Sequence, residues 1–133
     1  AKNPYRSVST IFTHDMPTLR QWWDEDRDLT QEYYNAVLWK QGPAPHPLPG
    51  DVAEQVVVNH LNCPSMLCLL SLQDWLSIDE TIRLADPDAE RINIPANPRH
   101  YWRYRMHMTI SQLMASKAFN EKLTKLITNS GRK

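Results

Sequence analysis

The adjacent imidazole and carboxylate of His14 and Asp15 are the first residues whose types suggest chemistry. They follow the β-branched run Ser7–Phe12, which is typical of a strand, and they precede Pro17, which is tolerated in the first turn of a helix. Asp15 could accept hydrogen bonds from substrate hydroxyls or take part in acid–base catalysis. It could instead bind backbone N–H groups at the start of a helix, with His14 hydrogen-bonded locally. The residues alone favour the second, structural interpretation.

Gln73 and Asp74 present the same ambiguity after the apolar stretch Ser65–Leu72. That stretch is apolar on both faces, as expected of a buried strand in a parallel sheet. The carboxyl ends of parallel strands lie at the same edge of a sheet, where α/β folds place their active sites. Two polar pairs at two strand ends therefore strengthen the functional interpretation of both.

The segment from Arg99 to His107 alternates basic and aromatic side chains. It could form a stacking platform for single-stranded nucleic acid, contact a sugar, or pack with its arginines paired to carboxylates. Fifteen basic and fifteen acidic side chains give the chain no net charge, which argues against a nucleic-acid partner. The histidines and cysteines lack metal-ligand spacing, and no glycine-rich phosphate loop occurs, so neither metal nor cofactor is predicted.

The elements that must position these residues are mostly helical. Pro17–Glu25 and Asp51–Leu61 have helical patterns, although the run Val56-Val57-Val58 in the second could equally be a strand. Thr30 is predicted to cap a helix over 31–41. Further predictions are a short amphipathic turn of helix over 78–84, a loop over 85–98, and a helical stretch over 109–128 that is broken near Ser116. Residues 42–50 contain four prolines and are predicted to be a stiff surface connection.

Length and composition indicate one domain of ordinary size. The chain has 133 residues, and no apolar run reaches the roughly 18 residues of a membrane span. Two cysteines, Cys63 and Cys68, are too few for a disulfide scaffold and indicate a reducing, cytoplasmic location. The chain begins without methionine, almost directly on a strand, so we expect it to be a piece of a longer protein.

Three blocks, in this order and at this spacing, carry a family resemblance. They are Ser9-Thr-Ile-Phe-Thr-His-Asp-Met-Pro-Thr-Leu-Arg-Gln-Trp-Trp23, Ser71-Leu-Gln-Asp-Trp-Leu76 and Arg91-Ile-Asn-Ile-Pro-Ala-Asn-Pro-Arg-His-Tyr-Trp-Arg103. Together they resemble the C-terminal part of the catalytic domain of 4-α-glucanotransferases, the amylomaltases or disproportionating enzymes. The third block is most similar to the plant cytosolic subgroup.

This resemblance implies an α/β fold, with residues 1–133 forming the C-terminal portion of a (β/α)8 TIM barrel. The chain would contribute about two strands, Ser7–Phe12 as the seventh and Ser65–Leu72 as the eighth, and a mostly helical remainder. Such a portion is an incomplete domain. Because two strands cannot close a barrel, we expect them to pair across chains or to be remodelled, so that the chain self-associates.

The implied reaction transfers α-1,4-glucan segments between maltose, maltodextrin or glycogen-type donors and acceptors, without a cofactor, by a retaining double displacement. In the family the nucleophilic aspartate and the acid–base glutamate precede the Thr-His-Asp motif, so neither lies in this sequence. The chain alone is therefore expected to be inactive.

By resemblance, Asp15 is the third carboxylate, which binds the 2- and 3-hydroxyls of a glucose unit and stabilises the transition state. His14 donates to the same sugar. Asn93 and Pro95 match a rim loop, and Gln73 and Asp74 are predicted to lie on the same rim and bind substrate. Two further matches, Trp102 and Arg103, are interpreted as structural support. The sequence departs from the commonest bacterial pattern at Ile92 and at Ala96-Asn97, which affects subgroup and acceptor preference.

A second hypothesis stays open on the residues themselves. The chain could be a non-enzymatic helical interaction module that binds a protein or single-stranded nucleic acid through residues 99–107.

Overall fold

The computed structural model describes residues 3–132, so the extreme ends of the predicted 1–133 unit lie outside the described residues. Within this range the chain forms six α-helices, one short 3₁₀ helix and two short strands. In chain order these are β1 (Val8–Ser9), α1 (Leu19–Glu25), α2 (Arg27–Ala36), α3 (Gly50–Leu61), β2 (Leu67–Cys68), α4 (Leu72–Leu76), the 3₁₀ helix (Pro87–Glu90), α5 (Ile110–Ala115) and α6 (Lys117–Asn129).

The two strands pair in parallel, with Val8 opposite Leu67 and Ser9 opposite Cys68. The predicted parallel arrangement and helix-rich remainder are confirmed, but the predicted lengths, 7–12 and 65–72, are wrong. The strands pair with each other within this chain, and the expected self-association stays a prediction. Each has a single neighbour among the described residues, and apolar side chains in and after β2 are exposed, with Leu67 46% and Leu69 59% accessible. Without partners on both edges, a long buried strand is not maintained.

A capping box also shortens the second strand. The backbone N–H of Asp74 donates to the Ser71 hydroxyl at 3.1 Å, and the backbone N–H of Ser71 donates to the Asp74 carboxylate at 2.8 Å. These reciprocal bonds satisfy N–H groups that the first turn of a helix leaves unpaired. Helix α4 therefore begins at Leu72, inside the range that was predicted to be a strand.

Asp26 caps helix α2, which corrects the prediction that Thr30 is the cap. Its carboxylate accepts from the backbone N–H groups of Asp28 and Leu29. Thr30 lies one turn into the helix and is fully buried, and its hydroxyl donates to the carbonyl of Trp23 at 2.8 Å. The acidic run after α1 thus serves as the junction between two helices.

The hydrophobic core lies among α1, α3, α4 and α6. Its members are at most 5% exposed and include Trp23, Leu38, Leu48, Val52, Val56, Val57, Leu61, Leu76, Ile78 and Phe119. Leu48 comes from the proline-rich segment, so the predicted surface connection contributes one side chain to the core. Gly50, at the start of α3, approaches the backbone so closely that a Cβ would lie 2.8 Å from the carbonyl oxygen of Ile78.

The C-terminal third follows the prediction at one point and departs from it at two. The helical pattern is broken at Ser116, between α5 and α6, as predicted. Residues 78–84 form turns, and one backbone bond of helical spacing, from the N–H of Arg83 to the carbonyl of Asp79 at 3.0 Å, lies within them, so the predicted turn of helix is present only in part. The predicted loop over 85–98 contains the 3₁₀ helix, because the Asp86 carboxylate accepts from the backbone N–H of Asp88 and Pro87 suits a first turn.

Candidate functional site

The start of helix α1 shows whether Asp15 is its N-cap. Helix α1 is capped by Thr18, whose hydroxyl accepts from the backbone N–H of Gln21 in a complete capping box. Asp15 lies three residues earlier, in a turn that the backbone bond from Met16 to Thr13 closes at 3.0 Å. Asp15 is therefore not the cap of this helix, and its carboxylate is available for other partners.

The Asp15 carboxylate lies between two polar side chains. Oδ1 accepts from the Asn93 amide at 2.6 Å, and Oδ2 lies 3.3 Å from Nε2 of His14. The His14 and Asp15 side chains are about half exposed, at 53% and 52%. The structure thus brings together two residues that are 78 positions apart in the sequence. This carboxylate is ordered by its neighbours and still open to a ligand.

Trp102 completes this cluster. Its ring lies 5.0 Å from the imidazole of His14, centroid to centroid, with the planes tilted by 48°. The indole is 60% exposed, so one side contacts His14 while much of the ring faces solvent. We call His14, Asp15, Asn93 and Trp102 the rim cluster. Trp102 was interpreted as structural support from the sequence, and the structure places it in direct contact with a predicted sugar-binding residue.

The loop that carries Asn93 is held by its own backbone groups. The Arg91 guanidinium donates from Nε to the carbonyl of Asn93 at 2.9 Å, and His100 contacts the carbonyl of Ile92 at 2.9 Å. Pro95 is exposed on the same loop. These bonds limit the movement of Asn93 relative to the rest of the loop.

A buried ion pair fixes the loop to helix α1. Nη1 of Arg20 lies 2.6 Å from Oε1 of Glu90, and their side chains are 7% and 3% exposed. The same guanidinium donates to the carbonyls of Leu84 and Ala85, and the Thr18 hydroxyl donates to the other oxygen of Glu90 at 3.4 Å. Burial raises the pKa of Glu90, and the charge of Arg20 opposes that effect.

Neither Arg20 nor Glu90 was identified as important from the sequence. An ion pair between residues 70 positions apart leaves no local pattern. The only signal is an arginine between two apolar residues, Leu19 and Trp23, on the buried face of a helix, which requires a partner.

Gln73 and Asp74 lie beneath the surface and form no hydrogen bond with the rim cluster. They are 4% and 0% exposed, and the Gln73 amide donates to the backbone carbonyl of Glu90 at 3.1 Å. One oxygen of Asp74 belongs to the α4 capping box, and the other has no hydrogen-bond partner among residues 3–132. Burial raises the pKa of Asp74 from 3.8 to about 6, while the bonds from Ser71 oppose this. The substrate contact predicted for both residues stays a prediction.

The aromatic and basic segment is extended and largely exposed. The Arg103 guanidinium lies 4.7 Å from the ring centre of Tyr101, a cation–π contact between near neighbours. His107 contacts the carbonyl of Ile82 at 2.6 Å. The segment therefore places one aromatic side chain, Trp102, at the rim cluster.

Residues 3–132 contain neither a metal-binding cluster nor a membrane-spanning helix. In this range no group of three histidine, cysteine, aspartate or glutamate side chains is arranged to hold a metal ion. No helix in the same range combines the length and the hydropathy that crossing a membrane requires.

The sequence comparisons identify the family. A family model described as 4-alpha-glucanotransferase (Glyco_hydro_77) matches residues 1–110. The chain belongs to the 4-alpha-glucanotransferase family. The resemblance inferred from the three sequence blocks is confirmed.

Individual relatives agree with the family assignment. The chain is 35% identical to the 4-alpha-glucanotransferase DPE2 of rice over 128 residues, which is 96% of this chain and 14% of the relative. It is 27% identical to the 4-alpha-glucanotransferase of Chlamydia muridarum and 24% identical to that of Chlamydia pneumoniae, covering 22% and 23% of those proteins. The rice relative is consistent with the predicted plant-type subgroup. The chain spans less than a quarter of the length of these glucanotransferases.

Proposed function

We propose that this chain forms part of the glucose-binding rim of a 4-α-glucanotransferase. In this proposal β1 and β2 are the seventh and eighth strands of a (β/α)8 barrel, and the rim cluster follows their carboxyl ends. The observation that carries the proposal is the arrangement of Asp15, which does not cap α1, is half exposed, and is ordered by Asn93 and His14.

The chemistry of the rim cluster suits a glucose unit. A carboxylate offers several acceptor positions, so Asp15 can bind two neighbouring sugar hydroxyls while it keeps the bond from Asn93. His14 lies beside it and can donate to the same sugar or accept from it, according to its tautomer. Because the carboxylate is held in place before substrate arrives, little reorganisation is needed when the sugar ring becomes positively charged.

The proposed reaction cleaves an α-1,4-glucosidic bond with retention and passes the glucan to a hydroxyl of an acceptor. Two molecules of maltose would give one of glucose and one of maltotriose. The reaction requires a nucleophilic aspartate and an acid–base glutamate about 5–5.5 Å apart, which the proposal places earlier in the longer protein. Asp15 would stabilise the oxocarbenium-like transition state by bonds to sugar hydroxyls that strengthen as charge develops.

Maltose, maltodextrin and glycogen-type glucans are the proposed substrates of the longer protein. We propose that Gln73 and Asp74, which are both buried, support the rim from below. Gln73 donates to the carbonyl of Glu90, before the loop that carries Asn93, and Asp74 binds the start of α4. A cytoplasmic location agrees with the two free thiols of Cys63 and Cys68.

Glucose release from maltose and maltotriose tests this proposal. The longer protein that contains this chain is expected to release glucose, and the purified 133-residue chain is expected to release none. Turnover by the 133-residue chain would show that the two missing catalytic groups are not required. An inactive longer protein that binds an oligonucleotide in a salt-dependent way would instead support the interaction-module hypothesis.

A further inference from the structure

Trp39 has an unusual conformation for a large side chain. It is 86% exposed, and its backbone has a φ of 56°, in the left-handed region that bulky residues rarely adopt. Such conformations persist where the surrounding structure imposes them, and they are concentrated at binding sites. An exposed indole on a strained backbone therefore needs an explanation.

The residues on both sides hold Trp39 in this position. The preceding Leu38 is buried, and its carbonyl accepts from the Gln55 amide at 3.0 Å. The backbone N–H of Lys40 donates to the carbonyl of Tyr34 at 3.1 Å, and the Lys40 carbonyl accepts from the Asn35 amide at 2.7 Å. The turn is thus fixed from α2 and α3, and the indole is presented to solvent before any ligand arrives.

A cleft of about 630 Å³ lies beside Trp39. This volume is within the roughly 300–1,000 Å³ of small-molecule sites. Tyr33 and Val37 form part of one wall, and the polar side chains Asn59 and Asn62 lie at the end of α3. No aspartate, glutamate, lysine or arginine is among the described residues that line this cleft.

The lining chemistry selects a neutral ligand with many hydroxyl groups. Asn59 and Asn62 are exposed, and each amide can both donate to and accept from a hydroxyl. His60 uses Nδ1 to contact the carbonyl of Val56 at 2.8 Å, which leaves Nε2 for a ligand. An aromatic face suits the apolar C–H face of a pyranose ring. A phosphate or a charged peptide would find no countercharge in the lining.

We propose that Trp39 and this cleft bind a segment of α-glucan chain at a second site, separate from the rim cluster. The inference rests on the proposed function, which makes α-glucan the neutral polyhydroxylated polymer that the protein handles. The cleft is lined by Asn3, Cys63 and Pro64, which precede β1 or β2 in the chain, and by Ser9 at the end of β1. None of the four residues of the rim cluster lines this cleft, so the two sites share no side chain.

A second site would hold a polymer near the rim while one of its ends reacts. Binding at two places on one chain raises the effective concentration at each. The site should therefore matter for glycogen and have no effect on maltose, which is too short to occupy both sites.

Native gel electrophoresis of the 133-residue chain, with and without glycogen in the gel, tests this inference. Glycogen should slow the wild type, and Trp39→Ala should weaken the apparent affinity about tenfold. Met114→Ala removes another exposed apolar side chain, 73% accessible on α5, and is the matched control that should bind as the wild type does. Circular dichroism should confirm that both variants are folded.

The outcomes distinguish this site from the proposed function. Equal retardation of the wild type and Trp39→Ala, or no retardation of the wild type, overturns the second site. Glucose release from maltose by the longer protein is measured separately, so the proposed function can stand when the second site fails. In the longer protein, Trp39→Ala should lower activity on glycogen and leave activity on maltose unchanged, and equal losses on both substrates would also contradict the inference.

Discussion

Replacing Asp15 by asparagine in the longer protein is the most direct test of the rim cluster. The change keeps the size of the side chain and one acceptor oxygen, and it removes the charge and the second acceptor. In the structure Oδ1 accepts from Asn93 at 2.6 Å, and an asparagine oxygen can keep that bond. The new NH₂ group would lie near His14, where Oδ2 now lies 3.3 Å from Nε2. The variant therefore lacks the acceptor oxygen Oδ2, which is the one proposed to face the sugar.

The expected effect falls on the reaction rather than on folding. Asp15 is half exposed, so its substitution should change the free energy of unfolding by less than about 0.5 kcal/mol. Hydrogen bonds to a charged acceptor are each worth about 1.5–3 kcal/mol. Losing two such bonds to sugar hydroxyls raises the barrier by about 3–6 kcal/mol, which lowers kcat by roughly 10²–10⁴. Because the bonds strengthen in the transition state, KM should change much less than kcat.

Steady-state glucose release from maltose measures this effect, and urea denaturation checks the fold. Asp26→Asn is a matched control, since Asp26 is an exposed aspartate that caps α2 and asparagine caps a helix about as well. This control should keep wild-type activity. An Asp15→Asn enzyme within threefold of wild-type kcat would refute the proposed role, and an equal loss in both variants would point to a general effect of removing an acidic charge.

Two further predictions concern the buried groups below the rim and use urea denaturation of the 133-residue chain. Arg20→Ala leaves Glu90 buried without its ion-pair partner and should lower the free energy of unfolding by about 3–5 kcal/mol. Lys122→Ala removes one partner of the exposed pair with Glu54 and should lower it by under about 1 kcal/mol. Similar losses of stability in the two variants would contradict the argument from burial. The pKa of Asp74 is raised from 3.8 to about 6, so the folded state binds its proton more tightly. The protein should therefore lose about 2 kcal/mol of stability as pH rises from 4 to 7, out of about 3 kcal/mol over the whole titration. Asp74→Asn should remove that pH dependence, and parallel pH profiles of the wild type and the variant would show that the pKa of Asp74 is the same in the folded and unfolded states.

Local patterns predicted much of the helical structure. The third helix, the break at Ser116 and the polar pair after the first strand all depend on residues close in the sequence. The start of α4 could also have been found, because Ser71 and Asp74 have capping-box spacing before an apolar residue. The apolar character of 65–72 outweighed that signal, and the strand was predicted to be too long.

The relation between Asp15 and Asn93 could not be predicted from local sequence. The two residues are 78 positions apart, and their bond depends on a loop that the Arg20–Glu90 pair fixes to α1. The family resemblance predicted that both lie near the rim, but it did not predict the bond between them. It also interpreted Trp102 as structural support rather than as a neighbour of His14. The exposure of the second strand could not be predicted from the sequence either. An apolar run predicts a buried strand whether or not the neighbouring strands are present.

The buried polar network, rather than the strand pair, sets the geometry of the rim cluster. Thr18 caps the helix that follows Asp15, and the same hydroxyl donates to Glu90, which precedes Asn93 by three residues. Glu90 is in turn held by Arg20 from the same helix and, through its carbonyl, by Gln73 from α4. Both sides of the rim are therefore tied to helix α1 by contacts that do not involve β1 or β2. The distance between Asp15 and Asn93 should depend on Arg20 and Glu90 even where the strands have no further neighbours.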